Sequence, residues 1–254
     1  MTPTVSCLIP AWNEAARIGA VLAATRAHPL LTETLVIDDG STDATARIAA
    51  HHGATVLRQR VNGGKSAAVA RGLAVAQGEI ILLLDADLQG LTPDDITALL
   101  APLRDGRAKA SLSLRRNAPL PWRLIGLDYI SGERAMPRAL LLPHLDRIAR
   151  LRGFGLEVFL NDLWIAEDLP LAVIPLAIDS PAKAAKHGLL RGLRGDLRML
   201  ADILRVAGPL RPLRQIAALV AAARAARRRG RLSSGNGSPG AMAAAPARPD
   251  AAQG

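Results

Sequence analysis

The chain has 254 residues, half of them hydrophobic, a formal net charge of +10 and one cysteine. That length suits one large domain or two small ones with a substantial core, and one cysteine excludes an internal disulfide or a four-cysteine zinc site. Three tryptophans, one tyrosine and two phenylalanines are too few for base-stacking nucleic-acid modules, and no run approaches the roughly 20 apolar residues of a membrane-spanning helix.

Val5 to Ile9 predicts a first strand, with Cys7 as a small core residue. The N-terminus enters it directly, so no signal peptide is expected and a reducing, cytosolic setting fits. Pro10 cannot donate to a ladder and ends the strand. In the following Pro10-Ala11-Trp12-Asn13-Glu14, Asn13 is placed to cap a helix to about Ala27 that buries Ile18, Val21 and Leu22. Leu35 to Ile37 is a second strand, closed by Asp38-Asp39-Gly40-Ser41-Thr42-Asp43. There Gly40 permits a tight turn, and Ser41 or Thr42 caps a helix to His52. Ala54 to Leu57 is a third strand. Asn62-Gly63-Gly64-Lys65-Ser66 opens a helix to about Gln77, and Glu79 to Leu84 is a fourth strand. Pro93 starts the next helix, with Asp94 and Asp95 in its first turn.

This alternation of strand and helix is the pattern of a parallel sheet with crossover helices. The apolar run Ile80 to Leu84 ends in Asp85-Ala86-Asp87-Leu88-Gln89. Alternate residues of extended chain point the same way, so Asp85 and Asp87 converge at the carboxyl end of a strand, the edge where open α/β sheets bind ligands. Two adjacent carboxylates repel unless a cation lies between them, and hard oxygen ligands suit Mg²⁺ or Mn²⁺ carrying a diphosphate. Solvated loop carboxylates are the alternative for an isolated pair. Gln59 stands where a Walker loop ending in Gly64-Lys65-Ser66 needs glycine, and no G-x-G-x-x-G follows a strand, so neither a P-loop ATPase nor a dinucleotide fold is expected.

Four ordered pieces resemble family-2 glycosyltransferases of the GT-A fold: Pro10-Ala11-Trp12-Asn13-Glu14, Val36 to Asp43, Asn62-Gly63-Gly64-Lys65 and Asp85 to Gln89. The last looks most like the dolichol- or polyprenyl-phosphate mannosyl- and glucosyltransferase branch. The resemblance implies an α/β GT-A sheet flanked by helices. It implies a nucleotide site of Pro10, Ala11, Trp12, Asn13, Glu14, Asp39, Lys65, Asp85 and Ala86, and a Mg²⁺ or Mn²⁺ site of Asp85, Asp87 and Gln89. Asp87 and Glu157 would be catalytic, with Glu157 opening an acceptor-side helix to about Ala166 or serving only as a dipole-stabilised first-turn carboxylate. Glu133 and Arg134, in a segment similar to the acceptor side of relatives that glycosylate small phosphorylated acids, would touch the acceptor or form a local ion pair.

Beyond residue 97 the match thins. Ala108 to Leu114 predicts a fifth strand with Arg115 and Arg116 at its end, and Leu169 to Ile178 a further strand or two. Arg115, Arg116, Arg134, Lys183 and Lys186 are candidates to clamp a phosphorylated acceptor, and His187 is a candidate late metal ligand or a surface residue. Leu197 to Val206 and Leu213 to Ala226 are expected helices. The second is basic and amphipathic, with Leu213, Ile216, Val220 and Ala223 on its apolar face. Composition from Gly230 onward predicts disorder. The expected division is a GT-A domain over 1–207 with donor and acceptor halves meeting near residue 100, a helix over 208–229 and a tail over 230–254.

Residues 1–100 hold 7 Lys/Arg against 10 Asp/Glu, whereas 101–254 hold 25 against 12. The basic half fits an anionic membrane surface or a phosphorylated substrate. The leading expectation is transfer from a nucleoside-diphosphate sugar to a polyprenyl phosphate, lipid or other phosphorylated acceptor. It would act in the cytoplasm at the inner face of the plasma membrane, by peripheral contact and without nucleic acid. The alternatives are a soluble acceptor, a phosphorylated acid or a sugar, and a non-catalytic nucleotide-binding domain of the same fold. A nucleotidyltransferase would place a Gly-rich loop where Pro10 to Glu14 stands.

Overall fold

A computed structural model of the chain describes residues 3–179, 208 and 210–234, with side chains described as far as residue 227. The first 83 residues alternate as expected: β1 Val5–Ala11, α1 Ile18–Thr25, β2 Glu33–Asp38, α2 Thr45–His51, β3 Thr55–Arg58, α3 Lys65–Val75 and β4 Ile80–Leu83. Next come α4 Pro93–Arg104, β5 Ala110–Arg115, α5 Leu120–Ile125, β6 Arg134–Pro137, α6 Leu145–Ala149, α7 Gly155–Ala166, β7 Leu171–Leu176 and α8 Leu210–Ser234. The strands form one seven-stranded sheet in the order β3-β2-β1-β4-β6-β5-β7. All pairings are parallel except those of β6, which runs antiparallel between β4 and β5.

Successive strand residues feed opposite faces of this sheet, so its central strands read as unbroken apolar runs. Leu8, Ile81 and Leu83 enter one core with α3, α6, α7 and α8. Cys7, Ile9, Ile80 and Leu82 enter the other with α1 and α4. Cys7 is buried and free, as expected, and burial pushes its thiol well above the ordinary value.

Several local expectations differ from the structure. Asn13 does not cap α1. It sits in the left-handed region at φ 54°, and α1 begins at Ile18 without a side-chain cap. Asp43, rather than Ser41 or Thr42, receives the first backbone N–H of α2, that of Thr45. Gly40 does make the tight turn, at φ +74°. α4 begins with Thr92 as cap and Pro93 inside, and Thr92 and Asp95 close a reciprocal capping box. The short α5, β6 and α6 have no counterpart in the sequence reading.

The apolar face of α8 follows the predicted stripe at Ile216, Val220 and Ala223, which pack on the core, but not at Leu213. Leu219, Ala223 and Ala226 are buried, while Leu213 is 65% exposed. The helix lies on α7 and β7 and joins their core, and it continues through Gly230 to Ser234. A boundary for a structureless tail at residue 230 is therefore too early. The expected helix over Leu197–Val206, the basic residues Lys183, Lys186, His187, Arg191 and Arg194, and the chain beyond 234 lie outside the described residues. Among the described residues no helix is long and apolar enough to cross a membrane.

Candidate active site

The carboxyl ends of β1, β2 and β4 share one edge of the sheet, with Leu8 level with Leu83 and Ala11 level with Asp38. The loops leaving β1 and β2 are stapled together there. Ser41 Oγ accepts from the Asn13 backbone N–H at 2.9 Å and Thr45 Oγ1 from that of Glu14 at 2.8 Å. Asp43 accepts from the Ala15 N–H, and Asn13 Oδ1 from the Thr42 N–H at 2.9 Å. Asn13 is thus a strut between loops. The sequence reading missed Ser41 and Thr45 because short hydroxyl side chains near a turn read equally as caps.

Between these loops and β4 lies a cleft of about 390 Å³. It is lined by Pro10, Ala11, Trp12, Glu14, Asp39, Lys65, Asp85 and Ala86, the predicted nucleotide set without Asn13, together with Asp87 of the predicted metal set and with Asn62, Gly64 and Ala68. Trp12 is 54% exposed, so its ring is open to a planar ligand. Asp39 is buried and accepts from the backbone N–H of Gly63 at 2.8 Å and of Gly64 at 2.7 Å, and from Gln59 Nε2 at 3.0 Å. It therefore fixes the loop that delivers Lys65, and a carboxylate's remaining lone-pair site is all it has left for a ligand.

Lys65 begins α3 and joins the two halves of the molecule. Its Nζ lies 2.7 Å from Asp85 Oδ1 and 2.9 Å from Glu157 Oε1. Burial opposes its charge, but the two carboxylates, Asp85 foremost, outweigh burial and hold the ammonium above its ordinary pKa. Asp85 in turn is pulled below the ordinary carboxylate range: burial works against ionisation and Lys65, then Arg115 and Arg134, overcome it. Asp87 goes the other way. Burial, then the negative charge of Asp85 and Glu14, pushes it up to about 6.

Glu157 is in the first turn of α7, almost fully buried, with Oε1 on Lys65 and Oε2 buried without a partner. Glu133 and Arg134 do not face the cleft. Glu133 is fully buried, and its Oε2 accepts from Ser113 Oγ at 2.6 Å and Ser131 Oγ at 2.8 Å. Arg134 is 1% exposed and donates to Ser131 O at 2.7 Å, Asn161 Oδ1 at 2.7 Å and Tyr129 O at 3.1 Å, with its guanidinium 5.0 Å from the Trp164 ring centre. These contacts fit the local role, the alternative that the sequence offered for both residues, and neither lines the cleft. Arg115 is likewise buried, donating to Asp128 at 2.8 Å, and Arg116 pairs with Asp179, so neither is a free phosphate clamp. Gln89 is exposed and pairs through its backbone with Asp179, beside the cleft rather than in it. Among the described residues no three His, Cys, Asp or Glu side chains gather as a self-sufficient metal site.

The family model described as Glycosyl transferase family 2 matches residues 6–160. The chain belongs to glycosyl transferase family 2. An uncharacterized glycosyltransferase of Mycobacterium tuberculosis is 36% identical over 224 residues, covering 80% of this chain and 97% of that protein. Glucosyl-3-phosphoglycerate synthase from the same organism is similar in structure. Its complex with Mn²⁺ and UDP-glucose has a TM-score of 0.62 at 27% identity, over 81% of this chain and 79% of that one. Its complex with Mn²⁺, UDP and glucosyl-3-phosphoglycerate has the same TM-score at 28% identity, over 81% and 80%. The 4,4'-diaponeurosporenoate glycosyltransferase of Staphylococcus aureus is 34% identical over 117 residues, covering 44% of this chain and 31% of that enzyme. The mostly parallel seven-stranded sheet is thus the GT-A fold, and the cleft at its carboxyl edge belongs to a glycosyltransferase.

Proposed function

We propose that this glycosyltransferase takes a sugar from a UDP-sugar, with Mg²⁺ or Mn²⁺, and gives it to a small phosphorylated acceptor. The observation that carries the donor side is the cleft itself, with an open tryptophan at one end and the Asp85–Asp87 pair at the other. Asp87 and Asp85 fit a divalent ion. Burial first, then the negative charge of Asp85 and Glu14, raises Asp87, and such ions are commonly held by one or two carboxylates with the substrate's phosphates completing the shell. When bound, the ion would offset the charge of the departing nucleoside diphosphate. Trp12 packs the base, the Asp39-anchored glycine loop presents Lys65, and Lys65 orients Asp85 and Glu157 toward the sugar.

The acceptor reading is supported by the structural neighbours, whose complexes contain phosphoglyceric acid or glycerol 3-phosphate. A membrane-borne acceptor, the leading expectation from sequence, stands second. It is favoured by the exposed Leu120, Leu124 and Ile125 of α5 beside the exposed Arg123, and by the charge of the second half of the chain. Thermal shift with UDP and GDP, each with Mn²⁺ or EDTA, tests the donor. Binding at about 100 times the dissociation constant stabilises by roughly 2.7 kcal/mol, and a shift with UDP and Mn²⁺ is expected. Failure of every nucleotide to shift the melting curve rejects the reading. Radiolabelled transfer to phosphoglycerate or glycerol phosphate, against polyprenyl phosphate in vesicles, then separates the two acceptor classes.

A further inference from the structure

The turn between α5 and β6 presses its backbone onto Asp85. A Cβ placed on Gly132 would lie 2.4 Å from Asp85 Oδ2 and 2.7 Å from its Cγ, far inside van der Waals contact. The φ of Gly132 lies outside the left-handed range, so space rather than backbone conformation demands glycine here. The turn has no freedom to retreat. Arg134 holds the carbonyls of Tyr129 and Ser131 from within the core, Ser113 and Ser131 hold Glu133, and Arg115 holds Asp128. Lys65 holds the other oxygen of Asp85 at 2.7 Å.

We propose that Gly132 is a positioning residue for donor binding: by lacking a side chain it lets the Asp85 carboxylate lie between the 128–134 turn and the Lys65 ammonium in a single orientation. This rests on the reading of Asp85 and Asp87 as the donor site. The acceptor-side turn therefore sets the geometry of a donor-side carboxylate from behind, without touching the nucleotide. Any larger residue must rotate Asp85 away from Lys65 or displace a turn tied at several buried points.

The test uses Gly132→Ala, Asp85→Ala and the double variant in the full chain. Gly132→Ala is expected to weaken Mn²⁺-dependent UDP binding at least tenfold while UDP affinity in EDTA stays within twofold, a split that general loosening of the fold would not produce. Its melting temperature falls in the wild-type background and is restored toward that of Asp85→Ala in the double variant, because the clash partner is gone. This rescue also reads the contact if Gly132→Ala alone is too unstable to assay. UDP affinity unchanged in Gly132→Ala, or an equal loss of melting temperature in both backgrounds, overturns the inference. If the wild type binds no nucleotide, the reading of the site falls and the donor role of Gly132 falls with it. Tight wild-type binding with an indifferent Gly132→Ala rejects the positioning role alone.

Discussion

Asp87 carries a charge that the protein does not neutralise. Its pKa stands at about 6 in the fold against an ordinary 3.8. A carboxyl raised on folding adds stability only while protonated. The contribution is full below about pH 4 and lost as pH rises through 6, so the ionised group is a net cost at neutral pH. The side chain is partly exposed, and solvent screening reduces that cost to about 1 kcal/mol. Asp87→Asn should raise the melting temperature at pH 7.5, have little effect at pH 4, and abolish metal-dependent UDP binding. Melts at the two pH values decide it, and a drop at pH 7.5 contradicts the sign. Glu157 lies on the same ammonium as Asp85, beside the proposed donor site. If the acceptor's nucleophile is a hydroxyl, a positioned carboxylate contributes about 10²–10⁴-fold. Glu157→Gln should then cost at least a hundredfold in turnover with UDP affinity kept. A rate within a few-fold of wild type would mean that Glu157 only anchors Lys65 and would favour attack by an anionic phosphate oxygen. The cleft residues were legible because each stands where a strand hands over to a polar loop. For Glu133 and Arg134 the sequence left an acceptor contact and a local ion pair open, and the burial of both, and of Arg115, was not legible because charge in a sequence suggests exposure. The missing clue was that Arg134 starts a strand paired with Leu83 in the middle of the sheet, where a side chain has nowhere to go but inward.

At the scale of elements, α8 is a structural brace. Gln215 is buried and joins Tyr129 Oη, the carbonyl of Val158 at 3.0 Å and the Asp162 carboxylate, tying α8 to α7 and to the turn before β6. Gln215→Ala strands the Tyr129 hydroxyl and should cost about 1–3 kcal/mol, read as a shift in urea midpoint without a change in slope. An unchanged midpoint would show that water replaces the amide without loss. Sequence put Ile216, Val220 and Ala223 of this helix on the core but missed that the stripe centres on Leu219, because alanines are so dense that several stripes satisfy a 3.6-residue period. The donor half was legible almost element by element, since strand and helix alternate with clear turn signals. α5, β6 and α6 were not, because four to six residues cannot display a period, and β6 follows a polar turn rather than an apolar run.

Over the whole molecule, charge is unevenly divided. The first 100 residues, which build most of the cleft, are slightly acidic, and the remainder is strongly basic. The apolar face of α8 is spent on the core, so it is not free to insert into lipid, and any attraction to an anionic surface must come through exposed arginines such as Arg214, Arg224 and Arg227. Each such residue near an anionic bilayer is worth about 1 kcal/mol and is screened by salt. The chain should therefore sediment with vesicles rich in anionic lipid at low salt, release at high salt, and lose affinity when Arg224 and Arg227 become Glu. Salt-insensitive binding, or binding indifferent to those changes, would mean that α8 does not face the membrane.

The antiparallel insertion of β6 also imposes an order of assembly. β2, β3 and β4 each find one neighbour among segments already made, but both partners of β5, β6 and β7, lie later in the chain, as do both partners of β1. At about 5–20 residues per second of synthesis, β5 waits several seconds for the last of them. A bare apolar strand left open that long would recruit another chain. The β5 sequence Ala-Ser-Leu-Ser-Leu-Arg breaks its apolar run with Ser111 and Ser113, which later find Leu99 O and Glu133. The same serines that satisfy the mature interior are expected to make the nascent edge less prone to aggregation, and Ser111→Val with Ser113→Val should lower the soluble yield of the chain.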